Sequence, residues 1–204
     1  MRFFLERSIP VEESHRYTVA KQISYHLGRS LEPSPIWEEI RTVSPSIDTD
    51  LGGEFLEWVE KCAEGSFRKA AEHDVPVKSA RLGVHGVVDR VFAEEPFFAI
   101  VRSSQAPPAG IYTADRIRIA CLTACVEETL GLKAVSGVVE YIPSGIARVC
   151  IPQPRDRRAT LRAVRAAHRV AAGEIPDRPH NPPCEICHLS AVCNAEPTTL
   201  AGLL

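Results

Sequence analysis

Three cysteines near the end of the chain have the spacing that most clearly suggests chemistry. Cys184, Cys187 and Cys193 follow a proline-rich approach that keeps the backbone out of regular structure. The C-x2-C pair puts two thiolates on one tight turn, where they repel each other unless a metal or a disulfide takes up their charge. We therefore expect the tail to bind a metal. A disulfide and three idle thiols are the alternatives.

A complete site of this kind normally has four ligands, and the three cysteines leave one position open. His180 and His188 lie within the tail itself, so a zinc site of three cysteines and one histidine is sterically easy. An iron–sulfur cluster is the other candidate. The remaining four cysteines are better explained as small core residues: Cys62, Cys121, Cys125 and Cys150.

Length and composition are those of an ordinary globular protein. The 204 residues are 45% hydrophobic and 25% charged, and the net charge of −2 gives no general attraction to nucleic acid. The apolar run at the start is too short for a signal peptide, and no stretch approaches the ~20 apolar residues that span a bilayer. We expect a cytoplasmic protein in a reducing environment, with no membrane partner.

Apolar periodicity and turn residues predict a series of helices and strands that would position these groups. Helices are expected over residues 17–27, 50–72, 113–130 and 156–172, with a loop over 30–49. Strands are expected over 75–80, 82–92, 97–101, 134–142 and 146–151. This order indicates an α/β core with a mixed sheet. We divide the chain into an N-terminal helical segment and loop (1–50), a core (51–173) and a cysteine-rich tail (174–204).

This order of elements, closed by C-x2-C-x5-C, resembles the RecB-type PD-(D/E)XK nucleases that carry an iron–sulfur cluster, and most of all the CRISPR-associated Cas-four family. The segment Gly86-Val-Val-Asp89-Arg resembles the strand that bears the family's first metal-binding aspartate. Residues 110–131 resemble the helix after the catalytic strand, and 137–141 the strand that follows it. The resemblance implies a restriction-endonuclease-like core, DNA as ligand and CRISPR adaptation proteins as possible partners.

The nuclease centre of that family needs two carboxylates around Mg²⁺ or Mn²⁺, and a lysine that positions the attacking water. Ile100 stands at the second carboxylate position of this chain, and Arg102 stands at the lysine position. Arginine stays protonated and cannot activate water as a base. Asp89 remains as the one matching metal ligand. Glu54 and Glu94 are the possible substitutes.

Three further family positions also differ. The helical histidine aligns with Gly53, the glutamine of the later helix with Arg118, and the tyrosine four residues on with Leu122. The resemblance therefore implies a weak or inactive pseudo-nuclease that assists DNA processing or spacer acquisition. Mg²⁺ or Mn²⁺ would be needed only if activity remains. The alternatives are an active metal-dependent DNA exonuclease and a scaffold with no DNA role.

The early helix of the family supplies the first cluster cysteine, and Ala20 stands at that position here. His26 lies six residues later and on a different face of the helix. The tail would therefore hold an incomplete cluster, use a replacement ligand, bind zinc or stay empty.

Four arginines on the last predicted helix form the candidate DNA contact. Arg158, Arg162, Arg165 and Arg169 recur at helical spacing and so line one stripe. A row of guanidinium groups about 16 Å long could follow a phosphate backbone. The alternative is a solvated helix face.

Overall fold

The computed structural model describes residues 14–48 and 50–174. The chain divides into two compact units, Glu12–Val164 and a second unit made of Met1–Val11 and Arg165–Leu204, of which residues 165–174 are described. Five helices and five strands follow one another along the described residues. They are α1 (His15–His26), α2 (Pro33–Val43), α3 (Leu51–Glu64), β1 (Glu72–Ser79), β2 (Val84–Val91), β3 (Phe98–Arg102), α4 (Thr113–Leu130), β4 (Gly137–Tyr141), β5 (Ile146–Cys150) and α5 (Pro154–Ala171). None of the helices in the described ranges is long and apolar enough to cross a bilayer.

The five strands form one sheet in the order β1-β2-β3-β4-β5. Strands β3 and β4 are parallel, and every other neighbouring pair is antiparallel. Helix α4 makes the crossover that a parallel pair requires. The mixed α/β architecture predicted from the sequence is confirmed. The predicted cysteine tail lies outside the described residues.

Helices cover both faces of the central strands. Successive side chains of a strand point to opposite faces, so Val101 of β3 packs with Ile23 and Ile40 from the N-terminal helices. Its neighbour Ile100 packs with Ile119 of α4 on the other face. Strand β3 is therefore buried on both sides, and any polar group beside it must find its partner inside the protein.

Helix α2 lies where the sequence predicted a loop. Pro33 and Pro35 sit in its first turn, where the missing backbone N–H groups would have no partner within the helix in any case. Ile36 and Ile40, one helical turn apart, are buried in the core. The prediction over 30–49 was wrong because prolines that begin a helix were interpreted as loop residues.

Helix α3 ends at Glu64, earlier than the predicted end at residue 72. A Cβ atom at Gly65 would lie 2.4 Å from the carbonyl oxygen of Gly145, so the two backbones meet at a position where no larger residue fits. The chain then extends, and Glu72 begins β1 instead of ending the helix. The predicted ranges of the other helices and of the strands agree with the structure to within a few residues.

A buried ion pair crosses the sheet between β2 and β4. Arg90 is 0% exposed and Glu140 is 1% exposed, and a guanidinium nitrogen lies 2.5 Å from Oε1 of Glu140. Arg90 also donates to the carbonyl of Leu27, at 3.1 Å, and to that of Arg68. Burial raises the pKa of Glu140, although the nearby Arg90 charge acts in the opposite direction. This one side chain ties two strands to the end of α1.

We predict that Arg90→Met destabilises the protein by about 3–5 kcal/mol, because it leaves the Glu140 carboxylate buried without its counter-ion. The measurement is the free energy of unfolding from urea denaturation. Arg81→Met is the matched control, since Arg81 is exposed and its ion pair with Glu128 is 3.6 Å long. Arg90→Met/Glu140→Gln should recover part of the loss. A single Arg90→Met variant as stable as the Arg81→Met control would contradict this assignment.

Candidate functional site

Two aspartates face each other across the β1–β2 ladder. His73 pairs with Arg90 and Val75 pairs with Val88, so Asp74 lies opposite Asp89. Asp74 has a φ of 54°, in the left-handed region that aspartate tolerates better than most residues. Like charges directly opposite on neighbouring strands repel each other. A cation is therefore needed between the two carboxylates.

Lys21 of α1 supplies that cation. Its Nζ lies 2.5 Å from Oδ1 of Asp89 and also contacts Oδ1 of Asp74. The Lys21 side chain is 13% exposed and that of Asp74 is 41% exposed, so the group lies at the edge of the core. One ammonium thus bridges carboxylates from two strands and connects both of them to a helix.

The second oxygen of each carboxylate has a donor of its own. Oδ2 of Asp89 accepts from the backbone N–H of Val101 at 2.7 Å, and Oδ2 of Asp74 accepts from the Tyr25 hydroxyl at 2.5 Å. The Tyr17 hydroxyl is 3.3 Å from Oδ1 of Asp89. Tyr17, Lys21 and Tyr25 recur every four residues and so share one face of α1. We call these two tyrosines, Lys21 and the two aspartates the Lys21 cluster.

The Lys21 cluster keeps Lys21 charged. Burial alone would lower the pKa of Lys21, but the Asp89 charge and the hydrogen bonds to both carboxylates outweigh it, and the pKa is raised. Burial, together with the hydrogen bond to Asp74, raises the pKa of Tyr25 to about 12. At neutral pH the cluster therefore holds a permanent ammonium and a neutral phenol. Neither group is poised to take a proton from water.

Arg102 belongs to a different cluster on the α4 face of the sheet. Its Nε lies 3.0 Å from Oδ1 of Asp115, a buried residue in the first turn of α4. Oδ2 of Asp115 accepts from the Tyr141 hydroxyl at 2.9 Å. Ile100 is fully buried among apolar side chains on the same face. Asp89 and Arg102, the two residues that match catalytic positions of the family, therefore belong to separate clusters. Asp89 contacts Lys21 of α1, and Arg102 contacts Asp115 of α4.

Every fully or nearly buried carboxylate of the described residues has a basic side chain of its own. The fourth case joins α4 to the start of α5: Arg116 makes two contacts with Asp156, of 3.1 and 2.5 Å. Hydrogen bonds from Arg116 hold the pKa of Asp156 below its ordinary value. The four pairs are Lys21–Asp89, Arg90–Glu140, Arg102–Asp115 and Arg116–Asp156. The chain itself thus supplies a cation at each of these carboxylates.

These residues do not fit a catalytic Mg²⁺ or Mn²⁺. Such an ion needs several converging oxygens, and within residues 14–48 and 50–174 no group of three or more His, Cys, Asp or Glu side chains is arranged to hold one. The Lys21 ammonium lies between the two carboxylates that come closest to such an arrangement. Glu54 is paired with Arg16 at 2.5 Å, and Glu94 is on an exposed turn. Neither completes the set.

The other positions singled out in the sequence are dispersed. Ala20 is fully buried, and His26 lies 2.8 Å from Glu39, so neither is placed as an open ligand on α1. Gly53 and Arg118 are exposed. Leu122 is buried against the sheet. The tail residues Cys184, Cys187, Cys193, His180 and His188 lie outside the described ranges.

The arginine stripe is exposed on α5. Arg158, Arg162, Arg165 and Arg169 are all exposed. Arg169 pairs with Glu174 at 2.9 Å, which reduces its availability to an outside anion. Within the described part of Glu12–Val164, no carboxylate forms an ion pair with Arg158 or Arg162. The guanidinium groups of these two side chains are therefore available to contact phosphate.

Sequence reasoning missed Lys21, Asp74 and Asp115. Lys21 carried no motif, and its position relative to Asp89 depends on how α1 packs on the sheet. Asp74 lies within β1, a strand that carries a proline, and its place opposite Asp89 follows from the β1–β2 register, which the sequence alone does not show. Asp115 carries no local signal beyond being an acidic residue in the first turn of a helix, where such residues are generally favoured.

Comparison with known proteins gives the fold alone. No protein-family profile matches the sequence, and no curated protein is similar to it. The chain is similar to the crystal structure of a proposed exonuclease from Eubacterium rectale, with a TM-score of 0.59 and 13% sequence identity. The match covers 96% of this chain and 81% of that one. The chain therefore shares the mixed α/β fold of that structure.

Proposed function

We propose that this chain is a DNA-associated pseudo-nuclease of the Cas-four/RecB type. It binds DNA, cuts it weakly or not at all, and assists DNA processing or CRISPR spacer acquisition beside adaptation proteins. The observation that carries the proposal is that, among the described residues of a nuclease-like fold, each buried carboxylate is paired with a basic side chain of the same chain. A counter-ion that belongs to the protein takes the role that a catalytic metal would need to fill.

The chemistry of hydrolysis supports weak or absent cutting. Metal-dependent cleavage of a phosphodiester needs carboxylates to hold the cation and a group to orient the water. Asp89 has both oxygens engaged by Lys21 and Val101, and Ile100 brings no carboxylate to β3. Arg102 keeps its proton and can bind phosphate, but it cannot act as a base. Loss of cutting is therefore compatible with retained binding.

The α5 stripe supports a DNA contact. Guanidinium groups bind phosphate oxygens through paired N–H donors, and binding releases the counter-ions condensed on DNA. Arg158 and Arg162 are exposed and have no acidic partner among the described residues of their unit. The net charge of the chain gives no help, so any affinity must arise from such a local patch.

We also propose that the tail cysteines Cys184, Cys187 and Cys193 hold an iron–sulfur cluster or zinc. Ala20 is buried and its side chain has no donor atom, so the position that the family fills with a cysteine does not supply the fourth ligand here. His180 and His188 lie in the tail sequence and would complete a zinc site.

We predict that the wild-type protein cleaves DNA weakly or not at all. The test is a nuclease assay on single-stranded and duplex DNA with Mg²⁺ or Mn²⁺. Asp89→Ala is assayed beside it, because it removes the one family carboxylate that remains. Robust cleavage lost in Asp89→Ala would establish an active exonuclease and overturn the proposal. Cleavage that persists in Asp89→Ala would identify a contaminant.

We predict that replacing Arg158, Arg162, Arg165 and Arg169 with alanine weakens DNA binding and makes it less salt-dependent. Each lost phosphate contact lowers the slope of log affinity against log salt by about 0.7–0.9. The matched control replaces four exposed basic residues elsewhere with alanine, and so changes the net charge equally: Arg29, Arg41, Lys69 and Arg81. An equal loss of DNA affinity in the two variants would mean that the stripe contributes only through the net charge of the protein. No binding by the wild type at low salt would favour the scaffold alternative.

We predict that anaerobically purified protein contains iron or zinc bound through the tail. Metal analysis and visible absorption separate the two, since an iron–sulfur cluster is coloured and zinc is not. Cys184→Ser/Cys187→Ser should lose the metal, while Cys62→Ser, at a buried cysteine of α3, should retain it. Metal-free wild-type protein would rule out this part of the proposal and favour a Cys184–Cys187 disulfide.

A further inference from the structure

The two carboxylates of the Lys21 cluster converge on one point. Asp74 and Asp89 each direct Oδ1 to the Lys21 ammonium, and each uses Oδ2 for a separate donor. The hydroxyl of Tyr17 approaches the same Oδ1 of Asp89. Carboxylate oxygens from two neighbouring strands therefore contact a single positive charge.

Two negative carboxylates face each other at this point, so the fold needs the positive charge of Lys21 between them. Two carboxylates facing each other with no cation between them would repel at short range, and Asp89 is buried where water screens poorly. The lysine is covalently attached, so its charge is present whatever the metal content of the solution. A divalent ion could fill the same electrostatic role only if the ammonium were absent, because both need the same two oxygens.

We propose that the Lys21 ammonium is the resident cation of this site and that removing it turns the Asp74–Asp89 pair into a divalent-cation site. The inference deepens the proposed function, since it explains how a nuclease-like fold keeps its carboxylates without a metal. The open side of Asp74 lets a hydrated ion enter, and the space vacated by the lysine holds the ion with its waters. Two carboxylates and water are the hard oxygen donors that Mn²⁺ and Mg²⁺ accept.

The experiment compares Lys21→Ala with Lys21→Met, without DNA. Both remove the charge, but methionine still fills the space that a hydrated ion would occupy. Mn²⁺ binding is read from the loss of the free-ion signal in electron paramagnetic resonance, and stability from thermal unfolding with Mn²⁺ or with a chelator. Lys21→Ala/Asp74→Asn is the second control, because it leaves one carboxylate and removes the repulsion.

We expect the midpoint temperature of the wild type to be the same with Mn²⁺ and with chelator. Lys21→Ala should melt lower in chelator and recover about 3–6 °C when Mn²⁺ is ten-fold above its dissociation constant. Lys21→Met should melt lower without recovering. Lys21→Ala/Asp74→Asn should be more stable than Lys21→Ala in chelator and insensitive to Mn²⁺.

Three results would overturn the proposal. Binding of Mn²⁺ by the wild-type protein, with a stoichiometry that Asp89→Asn abolishes, would mean that Lys21 does not hold the site. Lys21→Ala could fold and fail to bind Mn²⁺, or it could fail to fold even with Mn²⁺ present. The DNA assays are read separately, so a wild type that binds no DNA would end the proposed function and leave this result standing.

Discussion

A carboxylate that folding removes from water must meet a positive charge or enough donors, because its desolvation otherwise costs several kcal/mol. This constraint recurs at each buried carboxylate of the described chain, and each time the partner is a basic side chain from another element. The pairs therefore also join α1 to β2, β2 to β4, β3 to α4, and α4 to α5: Lys21–Asp89, Arg90–Glu140, Arg102–Asp115 and Arg116–Asp156. The buried carboxylates are neutralised only when these helices and strands are packed in this arrangement.

The parts of the fold that could be predicted are those whose apolar periodicity and turn residues lie close together in the sequence. Helix α4 runs from Thr113 to Leu130 as predicted, because Gly131, with a φ of 67°, gives an unambiguous stop. Helix α2 was missed because its apolar signal rests on Ile36 and Ile40, while its prolines suggest a loop. The early end of α3 depends on the close approach of Gly65 to Gly145, which lies 80 residues away in sequence and leaves no local trace.

In the candidate site too, residues within a local motif were predicted and residues placed by packing were not. Asp89 was found because a strand motif surrounds it. Lys21 is 68 residues away in sequence, and nothing local indicates that α1 brings its ammonium to that carboxylate. To predict that Asp74 lies opposite Asp89, the register of the β1–β2 ladder must also be known. Arg102 was identified as the residue at the lysine position, but its partner Asp115 is defined by how α4 docks on the sheet. Motifs locate single residues, while partners follow from packing.

An ammonium and a divalent ion can both neutralise facing carboxylates, but they differ in what else they permit. A metal leaves coordination positions for water and phosphate, and it lowers the pKa of the bound water. Lys21 uses its donors on the protein and offers no such position. In the proposed pseudo-nuclease, this fixed counter-ion would keep the fold intact and would remove the metal-dependent route to hydrolysis. The exposed guanidinium groups of α5 do not compensate any of these buried carboxylates. Under the proposed function, DNA binding and DNA cutting would therefore depend on different residues of this chain and would be lost independently.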